Sequence, residues 1–237
     1  MTAPHATPTT PSWVTDSPAP VAVVEVTAER DEDGPPEIPW HIAPEPGRVA
    51  MQLRTTVRRV MIGAGLARRQ ELVEAVRNLP GLPGLATSPA GGTFVVGGPS
   101  WLGLCAVGTL PEHHPATLDW MMDALRAWFA AALEPLGLDL HVGRVDGAWC
   151  PGFSDVAAGG RKLAGLGFRV TRGMVVMRGV LPVAPVSAAD LRLLQATHAL
   201  IDLRIDPQTL TSLAEATGDP TWTVARAIAH LRAVATA

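Results

Sequence analysis

Lysine is nearly absent from this 237-residue chain: 18 of its 19 basic residues are arginine, and Lys162 stands alone. Tyrosine is missing altogether and asparagine occurs once, at Asn78. Both facts fit a GC-rich codon bias that exchanges lysine for arginine wherever the exchange is tolerated. A guanidinium is a planar, permanently charged fork, whereas an ammonium is a compact donor on a flexible stem, so a lysine kept against that bias marks a candidate functional position. One lysine left by chance is the competing reading, and the count alone leaves both open. Cysteine is scarce too: Cys105 and Cys150 are too few for a disulfide framework and too isolated for a structural zinc site. There is no excess of positive charge, 19 basic residues facing 22 acidic ones, which argues against nucleic acid as a main partner. No apolar run approaches the roughly 20 residues of a membrane span. The N-terminus, with Pro4, His5 and Pro8, lacks an apolar signal-peptide core, so the expectation is a cytoplasmic protein without a membrane partner.

What the sequence does have is 47% hydrophobic residues, enough for one core. Residues 1–46, rich in Pro, Thr and Ala and then charged through Glu29 to Asp33, read as a flexible tail in which Val21 to Val26 could dock as an edge strand. Residues 47–185 read as the main domain. Val49, Met51 and Leu53 alternate with Ala50, Gln52 and Arg54 as in a strand, and Arg58 to Ala64 suggests a second. Helical spacing follows over residues 66–79 and, more clearly, over 115–135, where Leu118, Met121, Met122, Leu125, Trp128, Phe129 and Leu133 form an apolar stripe. Between them lie short apolar strands at Thr93 to Val96 and Trp101 to Val107. Four strand segments come next, Leu138 to Val145, Ser154 to Ala158, Arg161 to Val170 and Met174 to Val183, the last three joined by turn sequences as an antiparallel meander. Residues 186–237 read as a helical extension, with Ser187 starting one helix, and Asp206-Pro207 and Asp219-Pro220 each placing a capping aspartate before a first-turn proline.

Cys150 lies in the loop sequence Asp146-Gly147-Ala148-Trp149-Cys150-Pro151-Gly152, whereas Cys105 lies in an apolar run. A loop thiol can meet substrate and a core thiol behaves as a small hydrophobe, so Cys150 is the candidate nucleophile. Most lone loop cysteines are not catalytic, because the activating group is invisible in sequence. Lys162 follows the Gly159-Gly160 turn and could share a pocket with Cys150. The histidines form no ligand pattern: His113-His114 sits in a Pro/Glu loop, His198 and His230 on helices, and His141 on a strand. No metal is expected. Gly63-Ala64-Gly65 lacks the third glycine and the acidic residue of a dinucleotide site.

The stretch Gly160-Arg161-Lys162-Leu163-Ala164-Gly165 resembles the signature of the catalytic domain shared by lipoate-protein ligases, octanoyl and lipoyl transferases and, more distantly, biotin protein ligases. Trp149-Cys150-Pro151-Gly152-Phe153-Ser154-Asp155 before it is similar to the branch that carries the acyl group on a loop cysteine. A weaker likeness covers Ser88 to Thr93, where the family has a glycine loop. The resemblance implies an α+β fold, a mixed sheet with flanking helices. It also implies transfer of an octanoyl or lipoyl group to a lipoyl-domain lysine through a Cys150 thioester. Lys162 would then contact the acyl carbonyl or an acyl-adenylate phosphate, and Gly91, Gly92, Thr93 and Gly165 would border the acyl chain. The implied partners are the acyltransferase subunit of 2-oxoacid dehydrogenases, the glycine-cleavage H protein or an acyl carrier protein. No cofactor is permanently bound, and ATP with Mg enters only for a ligase. Ala86-Thr87 stands where the family has arginine, and Arg178-Gly179 where many members have histidine-glycine. An ATP-dependent ligase and a weakened paralogue that binds lipoyl domains or fatty acyl groups therefore stay open as alternatives.

Overall fold

The computed structural model describes residues 21–28, 49–89, 91–109, 119, 122, 125, 128–129, 131–171 and 174–235. The expectations for His113-His114, for residues 1–20 and for the start of the long helix lie outside the described residues.

Among the described residues ten strands make two sheets. The larger, in order β1-β2-β6-β10-β9-β8-β7, comprises β1 (Val21–Ala28), β2 (Val49–Thr55), β6 (Trp101–Thr109), β7 (Leu140–Val142), β8 (Val156–Ala158), β9 (Arg161–Thr171) and β10 (Met174–Pro182). β1 lies parallel to β2 and every other pairing in this sheet is antiparallel. The segment read as tail thus supplies an edge strand. The smaller sheet, β4-β3-β5, is built from β3 (Arg59–Gly63), β4 (Leu85–Ser88) and β5 (Phe94–Gly97), with β3 and β4 parallel. β4, short and half buried, has no alternation strong enough to read from sequence.

Period-two alternation gives each long strand two different faces. Met51 and Leu53 of β2, Leu102, Leu104 and Ala106 of β6, and Val175, Met177 and Leu181 of β10 point into one core. Opposite them lie α2, helical at the described residues 119, 122, 125, 128–129 and 131–133, and α5 (Val224–Ala235). On the other face Arg54, Gly103, Val180 and Gly165 form one cross-strand row, with Arg178 two residues along β10 from Val180. That face is covered by the smaller sheet with α1 (Gln70–Arg77) and α3 (Ala188–Ala199), around a second core that includes Val60, Ile62, Phe94, Trp101, Trp149, Leu193 and Leu194. Helices from the expected extension therefore pack into both cores.

α3 starts at Ser187, whose hydroxyl oxygen accepts the Asp190 N–H at 3.1 Å. Asp190 in turn accepts from Arg58 Nε at 2.9 Å, tying the helix to the β2–β3 connection. α4 (Leu213–Thr217) carries a Ser212/Glu215 capping box. One capping expectation is corrected. The Asp219 carboxylate accepts from the N–H and hydroxyl of Thr221, forming a local turn, and Thr223 accepts the Arg226 N–H at the start of α5. An aspartate can satisfy its own turn in this way as readily as a helix end.

Candidate active site

Between the two sheets lies a cavity of about 390 Å³, within the usual range for small-molecule sites. Its walls include Gly91, Gly92, Thr93, Cys150 and Gly165, together with Arg54, Arg59 and Arg178. Five of the six residues singled out from sequence thus line the cavity, and the sixth, Lys162, reaches its lining residues Trp149 and Cys150 through hydrogen bonds to their carbonyls.

Cys150 has φ of 42°, in the left-handed region where a residue with a Cβ costs about 1 kcal/mol or more. Its Sγ accepts the Thr93 N–H at 3.0 Å. Gly92, at φ 98°, passes so close that a Cβ there would sit 2.6 Å from the sulfur. The backbone at Gly92 thus runs close to the thiol, whereas a Cβ at Gly91 would meet nothing within 4 Å.

Strain of this kind persists only where the surroundings enforce it, and both polar groups of the Cys150 backbone are held. Its carbonyl accepts from Lys162 Nζ at 3.0 Å, and its N–H donates to His198 Nε2 at 3.1 Å. The other two Lys162 protons go to the Trp149 carbonyl at 2.7 Å and to Asp155 Oδ1 at 2.8 Å, while the ammonium sits 3.9 Å from the Trp149 ring centroid. Asp155 Oδ2 accepts the Gly152 N–H at 2.9 Å, closing the loop after the cysteine. Lys162 is 0% exposed. Burial pushes its pKa down and that of Asp155 up, each opposed by the charge of the other. The resemblance implies contact of this ammonium with the acyl carbonyl or an acyl-adenylate phosphate; in the structure its three protons face the carbonyls of Trp149 and Cys150 and the Asp155 carboxylate. A guanidinium is too large for the place, because a Cβ at Gly165 would already come within 3.1 Å of Lys162 Cε and 2.5 Å of the Trp149 ring.

His198 was read only as a helix residue. It is 0% exposed and comes from α3, 48 positions along the chain from Cys150. The available signal was its position: Leu193, Leu194, Thr197 and His198 share the buried face of α3. Burial lowers its pKa to about 4, so near neutral pH the ring is uncharged. Cys105, by contrast, is fully buried in β6, its thiol pKa raised by desolvation. Among the described residues no group of three or more His, Cys, Asp or Glu could hold a metal ion, and no helix is long and apolar enough to cross a membrane.

The α+β fold, with Cys150 lining a cavity between its two sheets, is of a class that the family comparison identifies. The lipoyl protein ligase A/B catalytic domain matches residues 68–234, and the chain belongs to that family. The octanoyl-[GcvH]:protein N-octanoyltransferase of Geobacillus kaustophilus is 35% identical over 78 residues, a match that spans 33% of this chain and 28% of that enzyme. Lipoate-protein ligase A bound with ATP superposes with a TM-score of 0.62 at 17% identity, over 92% of this chain and 84% of its own. A T. acidophilum protein with bound lipoic acid superposes with a TM-score of 0.59 at 16% identity, over the same shares of 92% and 84%. At such identities the two structures speak for the fold alone.

Proposed function

We propose that this protein is an acyltransferase of protein lipoylation, which takes an octanoyl or lipoyl group onto Cys150 and passes it to a lysine of a lipoyl domain. The observation that carries the reading is the cysteine itself, held at positive φ on the cavity wall with a main-chain N–H donated to its sulfur. In the first half-reaction the Cys150 thiolate attacks the thioester carbonyl of the donor. A new C–S bond forms, the donor C–S bond breaks, and the departing donor thiolate takes up the proton Cys150 gave to solvent. In the second, the acceptor lysine amine attacks the acyl-cysteine, an amide forms, Cys150 leaves as thiolate, and the surplus amine proton goes to solvent. Thioester exchange is nearly isoenergetic and aminolysis is downhill, so neither step needs ATP.

Lys162 serves this chemistry from behind, by holding the carbonyls of Trp149 and Cys150. Gly91, Gly92, Thr93 and Gly165 border the acyl chain, since they line the cavity and glycine leaves it open. Acceptors are lipoyl domains of the 2-oxoacid dehydrogenase or glycine-cleavage type. The donor in this reading is an acyl carrier protein that holds the group as a thioester. A second reading, ATP-dependent ligation, draws on Arg54, Arg59 and Arg178 in the cavity wall, which suit a phosphate.

Intact-mass spectrometry separates the two. Incubated with an octanoyl-carrier protein, the wild type acquires a hydroxylamine-labile octanoyl adduct that maps to Cys150, and Cys150→Ser acquires none, because an alkoxide is much harder to generate near pH 7 than a thiolate. Full transfer by Cys150→Ser from octanoate and ATP would make the protein a ligase.

A further inference from the structure

The hydrogen bonds around His198 fix its protonation without ambiguity. Its Nδ1 lies 2.7 Å from the Leu194 carbonyl oxygen, which can only accept, so Nδ1 carries the proton. Its Nε2 faces the Cys150 N–H, which can only donate, so Nε2 is the acceptor. Thr93 Oγ1 stands 3.2 Å from the same Nε2, and the Thr93 N–H is the donor on the Cys150 sulfur. The ring packs edge-on against Phe94, with centroids 5.7 Å apart. The charged group that acts on it is Lys162, on the far side of the Cys150 peptide.

This imidazole is no base for the thiol, since its one lone pair is shared between the Cys150 N–H and the Thr93 hydroxyl. We propose that His198 is a positioning residue for the nucleophile: through Nε2 it holds both Cys150 and Thr93, and so keeps the Thr93 N–H on the Cys150 sulfur. The claim rests on the reading of Cys150 as the acyl carrier, but the clamp itself concerns only the sulfur. With Lys162 holding the carbonyl and His198 the N–H, the Cys150 residue is gripped from β9 and α3 at once. Burial, which lowers the His198 pKa, keeps the ring in the neutral form that can accept.

Two isosteric variants separate clamping from mere packing. In His198→Gln the side-chain carbonyl can occupy the Nε2 position and accept the Cys150 N–H. In His198→Asn the amide can still donate to Leu194 as Nδ1 does, yet nothing reaches Cys150. The readout is the rate of Cys150 alkylation by iodoacetamide at fixed pH, followed by peptide mass, which needs no acyl donor. The rate is expected to fall roughly tenfold in His198→Asn and to stay near wild type in His198→Gln, because only the glutamine keeps an acceptor for the Cys150 N–H and so keeps the Thr93 N–H on the sulfur. Acylation from an octanoyl-carrier protein falls by a similar factor in His198→Asn. An unchanged rate in a folded His198→Asn, or equal losses in both variants, overturns the proposal. If His198→Asn does not fold, Thr93→Val takes its place: it removes the hydroxyl from Nε2 and leaves the N–H, and an unchanged rate there overturns the proposal too. A wild type that alkylates as described but gains no acyl adduct would sink the proposed function and leave the clamp standing.

Discussion

Replacing Lys162 by methionine keeps the side chain out to Cε and removes the ammonium, which tests what that group does where it sits. The change leaves the Asp155 carboxylate, 1% exposed, with the Gly152 N–H and without its cation, and it takes a donor from the carbonyls of Trp149 and Cys150. Removing one partner of a buried ion pair costs about 3–5 kcal/mol, since the other charge is stranded away from water. At roughly 2–4 °C per kcal/mol for a chain of this size, the thermal midpoint should fall by about 6–20 °C. The double variant Lys162→Met, Asp155→Leu removes both charges, and because an apolar pair often replaces a buried ion pair at little cost, it should recover most of that loss. Acyl transfer should stay lost in the double variant, since the nucleophile loop is no longer held. Lys162→Arg, the exchange that codon bias favours, should destabilise as well, for want of room. Thermal and urea melts at pH 7 beside the octanoyl-adduct assay give both readings. A Lys162→Met variant within about 1 kcal/mol of wild type, or a double variant as unstable as the single one, would refute the reasoning.

Three further outcomes are expected. Gly92→Ala should abolish acylation of Cys150 while the chain still folds, because the added Cβ falls 2.6 Å from the sulfur at a φ of 98°; Gly165→Ala, which meets the Trp149 ring, should lower the melting midpoint too. Stability should decline as pH falls from 6.5 towards 4: the unfolded chain binds a proton at His198 in that window and the folded chain, with its pKa near 4, does not. The contribution is on the order of 3 kcal/mol, and urea melts of His198→Gln should show a shallower acid slope than wild type. Deleting residues 1–28 should lower the melting midpoint and promote association, because it strips β1 from β2 and leaves a buried strand as an open edge; an unchanged, monodisperse protein would show β1 to be dispensable.

The legible parts of this molecule were local. The β9–β10 hairpin and its neighbour β8 follow from alternation broken by glycine turns, and the Ser187 cap from its aspartate three residues on. The capping box at Ser212 and Glu215 is an equally local pattern, although short helices such as α4 are easily lost beside strand signals. Cys150 and Lys162 stood out by loop setting and by rarity, and the structure brings them together. What their side chains face was not legible. Whether an ammonium turns to the cavity or to its own loop depends on Asp155 and Trp149 folding over it, and no spacing rule encodes that choice. His198 is the stronger case, a polar position on an apolar helix face whose partner lies 48 residues away. The parallel pairing of β1 with β2 likewise depends on tertiary placement, since a strand pattern names no partner.

The grip on Cys150 also has a calendar. During synthesis the cysteine emerges before Lys162, and Lys162 well before His198, so no chain that ends short of α3 can carry the complete set of bonds that holds the thiol at positive φ. A fragment that stops before α3 keeps the cysteine and the lysine yet has no acceptor for the Cys150 N–H, so its sulfur is expected to alkylate like that of an ordinary loop cysteine.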